Sequence, residues 1–399
     1  MKYVLIIPDG AADEPVPELD GKTPLEVAHK PHTDWVALNG RLGTVRTVPD
    51  NMTPGSDVAT LSVVGTDPQK HYTGRAPIEA AARRIKIGPT DLVYRCNLVT
   101  IVDGRMEDFT AGHISTSEAE RIIQDLNAQL GGDAVQFHVG VGYRNLMVLR
   151  DAAGTRVECT PPHDIPGEPV TRHLPSGRDA APIRDLMKKS QALLAGHEVN
   201  EVRRQLGENP ATAIWFWGQG QTPRLDRFSD RFGLRGAAIG AVDLFRGIAV
   251  CLGWRLIDVE GATGFIDTNY RGKGQAAVEA IDEYDFVAVH IEAPDEAGHM
   301  GDVAEKIKAI ERIDEHIVGP VLARLKTFDR WRILIVPDHP TPVTHRTHTS
   351  DPPPFCMAGT GIEAIYKQPF FEEAARQSDL HVDPGHELME FFLRHGRQS

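Results

Sequence analysis

The stretch Tyr3-Val4-Leu5-Ile6-Ile7-Pro8-Asp9-Gly10 decides the fold. An unbroken apolar, β-prone run stops abruptly at Pro-Asp-Gly. Apolar residues at odd and even positions alike suit a strand buried on both faces, as in a parallel sheet. The pattern recurs downstream. Phe286-Val287-Ala288-Val289-His290-Ile291 leads into Glu292-Ala293-Pro294-Asp295, and Arg332-Ile333-Leu334-Ile335-Val336 leads into Pro337-Asp338-His339. Helical patterns lie between them. Residues 302–326 place Val303, Ile307, Ile310, Ile313, Ile317, Val321 and Leu325 at spacings of three and four, one apolar stripe. Residues 236–252 and 275–283 also read as helices. Strands alternating with helices predict an α/β core with a mainly parallel sheet, and ligand sites of such sheets gather beyond the carboxyl ends of the strands.

The middle of the chain has another texture. Apolar segments at Leu92–Val102, Val135–Val141 and Leu146–Leu149 are separated by polar turns. A proline-rich stretch at 160–167 follows, then a helix-like segment at 180–195 and a charged one at 201–209. This predicts an α+β insertion over 90–211 with its own core, interrupting a discontinuous domain of residues 1–89 and 212–399. The 399 residues allow two or three domains. A formal net charge of −13 argues against a broad nucleic-acid or anionic-membrane surface. No apolar run approaches the roughly 20 residues needed to span a bilayer. The N-terminal run is too short for a signal-peptide core, and the 4 cysteines are scattered without a Cys-x-x-Cys pair. These features predict a cytoplasmic protein with reduced thiols.

The 17 histidines invite a search for metal ligands. Asp295 and His299 stand four apart just after a buried strand, on one face of a helical turn, so both can reach one cation. Asp338 and His339 end another buried strand. Asp9 supplies a further carboxylate at the end of the first, and His345 and His348 lie in the polar loop 344–349. Taken singly, these are helix-start, turn or surface residues as readily as ligands. Aspartates at the mouths of three apolar strands, two with associated histidines, are hard to produce by structural need alone. Carboxylate with imidazole suits manganese, zinc, cobalt or iron better than calcium. Ser56, in the tight turn Thr53-Pro54-Gly55 entering a helix, reads as a plain N-cap. A serine there also meets free amide hydrogens and a positive dipole end, where phosphate is welcome. A metal ion on its oxygen would make it a competent nucleophile.

At these residues the chain resembles the archaeal-type cofactor-independent (2,3-bisphosphoglycerate-independent) phosphoglycerate mutases, within the alkaline phosphatase superfamily. The similarity runs over essentially the full length, through IPDG, PGSDVATLSVVGTDPQKHYTGRAPIEAA, YRCN, GATGFIDTNYRGKG, HIEAPDEAGHMGD and the DH of PDHPTP. One departure is Pro340 after His339, where a small hydroxyl residue is common in the family. The resemblance implies an alkaline-phosphatase-like sheet sandwiched by helices, with the insertion as a lid that holds glycerate and excludes water. It also implies a site for two divalent ions, manganese first, with zinc, cobalt or magnesium as alternatives. Asp9, Ser56, Asp338 and His339 would hold one ion. Asp295, His299 and His348 would hold the other, with His348 chosen over His345 by its spacing to the following Asp-Pro segment. Ser56 would carry the phosphoryl group between the two hydroxyls of glycerate, interconverting 2-phosphoglycerate and 3-phosphoglycerate.

Substrate phosphate and carboxylate need cationic partners. Arg75, Arg144 and Lys273 fall in segments that look like the family's, and His113 in TAGHIST is a further candidate; each also reads as an ordinary surface charge. His163-Asp164 reads as a lid element or a turn, and Trp215 and Trp217 as sheet core. Two divalent ions would take the charge from −13 to −9, so attraction of an anionic substrate must be local. Other readings of the same residues are a homoserine kinase-like phosphotransferase, a phosphatase or phosphopentomutase-like enzyme, and a non-catalytic metal-binding protein.

Overall fold

Each of the three diagnostic runs forms a fully buried strand. In the computed structural model, which describes residues 1–394, the strands along the chain begin with β1 (Lys2–Pro8) and β2 (Arg41–Val45). Next come β3 (Leu92–Val102), β4 (Arg105–Asp108), β5 (Val135–Val141), β6 (Arg144–Leu149) and β7 (Ala213–Gly220). The last are β8 (Gly236–Ile239), β9 (Arg255–Ile257), β10 (Phe286–Ile291), β11 (Trp331–Ile335), β12 (Pro354–Gly359) and β13 (His381–Val382). They build two sheets in two units, residues 1–72 with 224 onward, and residues 73–223.

The first unit carries an 8-stranded sheet in the order β13-β2-β12-β11-β1-β10-β8-β9. β1 sits between β11 and β10, parallel to both. The parallel set continues through β8 to β9, while β12 runs antiparallel to β11 and β2. Because β1, β10 and β11 are neighbours running the same way, Asp9, Asp295 and Asp338 leave the sheet at the same edge. Side chains of these strands pack against the helices Pro31–Leu38, Tyr270–Glu283 and Val303–Ile313 in one continuous core, which includes Ile6, Val289, Ile335, Ala277 and Ile310.

Two helix expectations in this unit need correction. Residues 236–252 are not one helix: Gly236–Ile239 is β8, paired on both edges, and the helix is Asp243–Cys251. A four-residue apolar run cannot reveal its period, and the flanking strands impose theirs. Residues 303–325 keep a single apolar stripe but are divided into Val303–Ile313, a π-type turn at Asp314–Val318, and Gly319–Leu325. Pro320 has no N–H for the carbonyl four residues back, at His316, so the helical ladder is reset there. That carbonyl faces Gly274, where a Cβ would come within 1.9 Å of it.

The second unit is an antiparallel sheet centred on β3, which pairs with β6 on one side and β7 on the other; β5 flanks β6, and β4 pairs with the end of β3. Helices Thr116–Leu130 and Ala181–Ala195 cover it, the first opened by a capping box between Ser115 and Glu118. Tyr94, Cys96, Phe216, Trp215 and Met187 lie in its own core. The insertion is thus wider than 90–211. Its helix Arg75–Ala82 packs on β3 and β7, and β7 itself completes the sheet, so both belong to residues 73–223. No helix among the described residues is long and apolar enough to cross a membrane.

Candidate active site

The carboxyl edge of the parallel sheet gathers three groups of potential cation ligands within the first unit. Asp295, His299 and His348 form one; Asp9, Asp338 and His339 form another; Asp9, His290 and Glu292 form a third. The helix Ala293–Met300 starts two residues beyond β10, and its periodicity puts Asp295 and His299 on one face. His299 Nε2 lies 3.2 Å from Asp295 Oδ2 and 3.0 Å from His348 Nε2, and His348 Nε2 lies 3.4 Å from Asp295 Oδ1. Nδ1 of His299 lies 3.0 Å from the Arg346 carbonyl; an N–H there makes Nε2 the nitrogen that can bind a metal once its own proton is lost. Burial pushes the Asp295 carboxyl up, but hydrogen bonds from His299 and His348 outweigh it and hold the group well below its ordinary value. The same bond to Asp295 raises His299 to about 9. His345, the alternative in the loop, is exposed and points to Glu14 at 3.6 Å.

Asp9 and Asp338 are fully buried. Asp338 is held from several sides: Oδ1 accepts from the backbone N–H of Gly10 and His339, and Oδ2 from Thr60 Oγ1. Asp9 is not. Neither of its oxygens accepts a hydrogen bond, although imidazole nitrogens of His290 and His339 face them at 3.0 and 3.4 Å. Burial, then the charges of Asp338, Glu292 and Asp295, push the Asp9 carboxyl well above its ordinary range. Anions packed this closely without a cation are costly. Gly10 permits the packing, for its φ is +61° and a Cβ there would lie 2.6 Å from both Asp295 Oδ1 and Thr341 Oγ1.

Ser56 opens the helix Ser56–Val63, with Gly55, not the serine, in the cap position. Its Oγ is buried and 3.1 Å from His339 Nε2. Thr60, one turn along the same helix face, is the residue that reaches Asp338. The serine hydroxyl therefore stands at the positive end of a helix and beside the Asp9, Asp338 and His339 group. Lys273 is also in this unit, buried, donating from Nζ to the His290 carbonyl at 3.2 Å; burial lowers its pKa to about 8, with Glu292 opposing.

The other expected substrate contacts lie in the inserted unit. Arg75 and Arg95 grip opposite oxygens of the buried Glu79, each through Nε at 3.0 Å. Burial alone would raise the Glu79 carboxyl, yet Arg95 and Arg75, with help from Arg144, hold it below its ordinary value. The Arg95 guanidinium lies over the Trp217 ring at 4.3 Å, and His163 meets the same ring edge-on at 5.0 Å. Trp217 is thus both sheet core and a platform for a cation. His113 takes no part in this cluster; its backbone is fixed by Thr110 Oγ1, and its φ is +50°.

His290, Glu292, Glu79 and Arg95 escape a reading of the sequence. The first two sit inside and just after an apolar strand, where alternation with Val289 and Ile291 was the available signal. Arg95 and Glu79 look like ordinary strand and helix charges until their burial is known.

The profile of the 2,3-bisphosphoglycerate-independent phosphoglycerate mutases matches residues 37–200. The chain is similar to proteins of that name from Methanothrix thermoacetophila, at 50% identity over 98% of this chain and 100% of the relative. The Methanosarcina barkeri protein of that name is 44% identical, over 99% and 100%. Among solved structures, a Pyrococcus horikoshii protein superposes with a TM-score of 0.85 at 30% identity, covering 100% of this chain and 98% of that one. The cofactor-independent phosphoglycerate mutase of Thermoplasma acidophilum gives 0.67 at 24%, covering 99% of each, and shares the fold.

Proposed function

Because the chain belongs to the 2,3-bisphosphoglycerate-independent phosphoglycerate mutases, we propose that it interconverts 2-phosphoglycerate and 3-phosphoglycerate through a phosphoserine on Ser56. The observation that carries this reading is the buried Ser56 hydroxyl at a helix N-terminus, 3.1 Å from His339 and beside the unsatisfied carboxylate of Asp9. A divalent cation fits this donor set. Two buried oxygens without hydrogen bonds, and ring nitrogens of His299 and His348 only 3.0 Å apart, both call for positive charge among them. Asp9, Ser56, Asp338 and His339 would hold one ion, and Asp295, His299 and His348 a second. Manganese is the first choice of metal. When bound, such ions lower the serine pKa and neutralise charge on the transferring phosphoryl group.

In the first half of the cycle, Ser56 Oγ forms a bond to phosphorus as the bond to one glycerate oxygen breaks; the proton lost by the serine passes to that oxygen. In the second half, the other glycerate hydroxyl attacks the phosphoserine, and Ser56 regains a proton. Nothing is consumed, and the net change is an isomerisation. The first amide hydrogens of Ser56–Val63, ahead of those that bond to Gly55 and Asp57, would bind phosphoryl oxygens throughout. Lys273 is assigned to the substrate anion, with its ammonium donating a single protein hydrogen bond. Arg75 and Arg144 of the inserted unit are assigned to the glycerate carboxylate. That unit would be the lid that keeps water from the phosphoserine, since hydrolysis there would make the enzyme a phosphatase.

Incubation with 3-phosphoglycerate and manganese, coupled to enolase, tests the reading. Enolase signal without phosphate release is the expected result. Phosphate release alone, or ATP-dependent phosphorylation of homoserine without mutase signal, would overturn it.

A further inference from the structure

We propose that Thr341 is a positioning residue for the metal centre: its hydroxyl links Asp295, in one ligand set, to His339, in the other. The inference rests on reading these residues as metal ligands, and adds a residue that itself touches neither substrate nor metal.

Thr341 follows β11 and is fully buried. Its Oγ1 donates to Asp295 Oδ1 at 2.5 Å and lies 3.3 Å from His339 Nδ1. A hydroxyl has one proton. Spent on the carboxylate, it leaves an oxygen lone pair towards the imidazole, so Nδ1 of His339 must carry the N–H. The Pro340 carbonyl, 3.4 Å from the same nitrogen, is compatible with that tautomer but too distant to fix it alone. Nε2 is then the lone-pair nitrogen, and it is Nε2 that faces Ser56 and Asp9. One hydroxyl thereby orients a carboxylate of one set and fixes the usable nitrogen of the other.

The threonine is itself anchored. Lys306, fully buried on the helix Val303–Ile313, donates to the Thr341 carbonyl at 2.8 Å, to the Ala12 carbonyl at 3.2 Å and to Asp13 Oδ2 at 2.7 Å. Thr341 N–H donates to the Ala12 carbonyl, and Asp13 accepts from Val343 N–H. The loops after β1 and β11, which carry Asp9 and His339, are thus tied together through one buried ammonium. A buried charge with every donor satisfied gives a defined geometry at a real desolvation cost. The side chain at 341 is held from behind while its hydroxyl faces both ligand sets.

Thr341→Val keeps the shape and removes the hydroxyl, and Thr341→Ser restores it. Manganese affinity of the full chain, by competition with a chromogenic chelator, should fall about 10–100-fold in the valine variant. The serine variant should stay within a few-fold of the parent. The ring 15N resonances of His339 in metal-free protein at pH 8 give a readout that a general loss of stability would not move: protonated Nδ1 in the parent and in Thr341→Ser, a tautomer mixture in Thr341→Val. Unchanged manganese affinity in Thr341→Val, an equal loss in Thr341→Ser, or an unaltered His339 tautomer would overturn the proposal. A protein that binds manganese with these dependences but yields no mutase signal would refute the proposed function and leave this inference standing.

Discussion

Among the described residues, each unit holds a buried charge cluster, acidic in one and basic in the other. In the sheet unit, Asp9, Asp338, Asp295 and Glu292 crowd together, and the Lys273 ammonium feels the charge of Glu292. In the inserted unit, Arg75, Arg95 and Arg144 surround the single carboxylate of Glu79. Each is unbalanced in the direction of what it is proposed to bind, cations in the first and the carboxylate of an anionic substrate in the second. They also differ in how the imbalance is tolerated. The acidic cluster leaves oxygens of Asp9 and Glu292 without hydrogen bonds and pushes protons onto both carboxyls, whereas the basic cluster leaves the Nε of Arg95 without one and spreads positive charge over the face of Trp217. A net charge of −13 is therefore no guide to the substrate, because the local fields differ in sign.

The largest effect should separate chemistry from binding. Ser56→Ala should lower mutase turnover by at least about 10⁴-fold, as expected when a covalent nucleophile is removed. The arginine cluster should still bind phosphoglycerate in the variant. Equilibrium binding and enolase-coupled turnover measured together would check this, and full turnover in the variant would remove Ser56 from the mechanism.

The next effect lies in the basic cluster. Glu79→Gln leaves two arginines without their shared counter-charge, one of them, Arg95, buried against Trp217. Breaking a buried pair of this kind costs roughly 3 kcal/mol, so chemical denaturation should show a clear loss of stability. Manganese content should not change, because the acidic cluster does not use Glu79. A drop in bound manganese would break the separation of the two regions.

These contrasts bear on what the sequence could convey. Apolar runs ending in aspartate placed β1, β10 and β11 and all three carboxylates, because burial on both faces leaves a strong signal and the parallel order brings the strand ends together. Spacing within a helical turn placed Asp295 with His299. The buried clusters were only half legible, since a charged residue carries no mark of burial in its own letter. Lys306 shows what signal there was: it occupies a position of the apolar stripe between Val303 and Ile310, where a lysine needs partners. Short runs such as Gly236–Ile239 have no period of their own, and tertiary pairing decided them.

pH should move the two clusters in opposite directions. Glu79 is held below its ordinary value, so its stabilising contribution is complete above about pH 4.5 and is lost as pH falls through the folded-state value. Glu292 is pushed up to about 8, first by burial and then by Asp295, so its contribution is present below about pH 4.5 and is lost as pH rises through 8. In metal-free protein, Glu292→Gln should therefore stabilise the chain increasingly from pH 5 to 9, by a few kcal/mol at most. The cost of Glu79→Gln should shrink as pH falls below about 4.5. Denaturation curves across pH would sharpen the comparison, and slopes of the same sign would break it. Manganese should suppress the rise seen with Glu292→Gln by neutralising the cluster.

The smallest effect concerns the exposed member of the basic cluster. Arg144 begins β6, lies over the Tyr143 ring at 5.0 Å, and reaches Glu79 only through its charge. An exposed cation acts across water and salt, so its contribution is on the order of 1 kcal/mol. Arg144→Ala should raise KM about five-fold, leave kcat nearly unchanged, and lose most of its effect at high ionic strength, as expected for uniform binding of substrate and transition state. Arg75→Ala, which also removes a clamp on Glu79, should cost more and depend less on salt. If Arg144→Ala instead lowered kcat and left KM alone, the guanidinium would be acting on the transferring phosphoryl group. The division between a basic cluster that holds and an acidic centre that reacts would then fail at this residue.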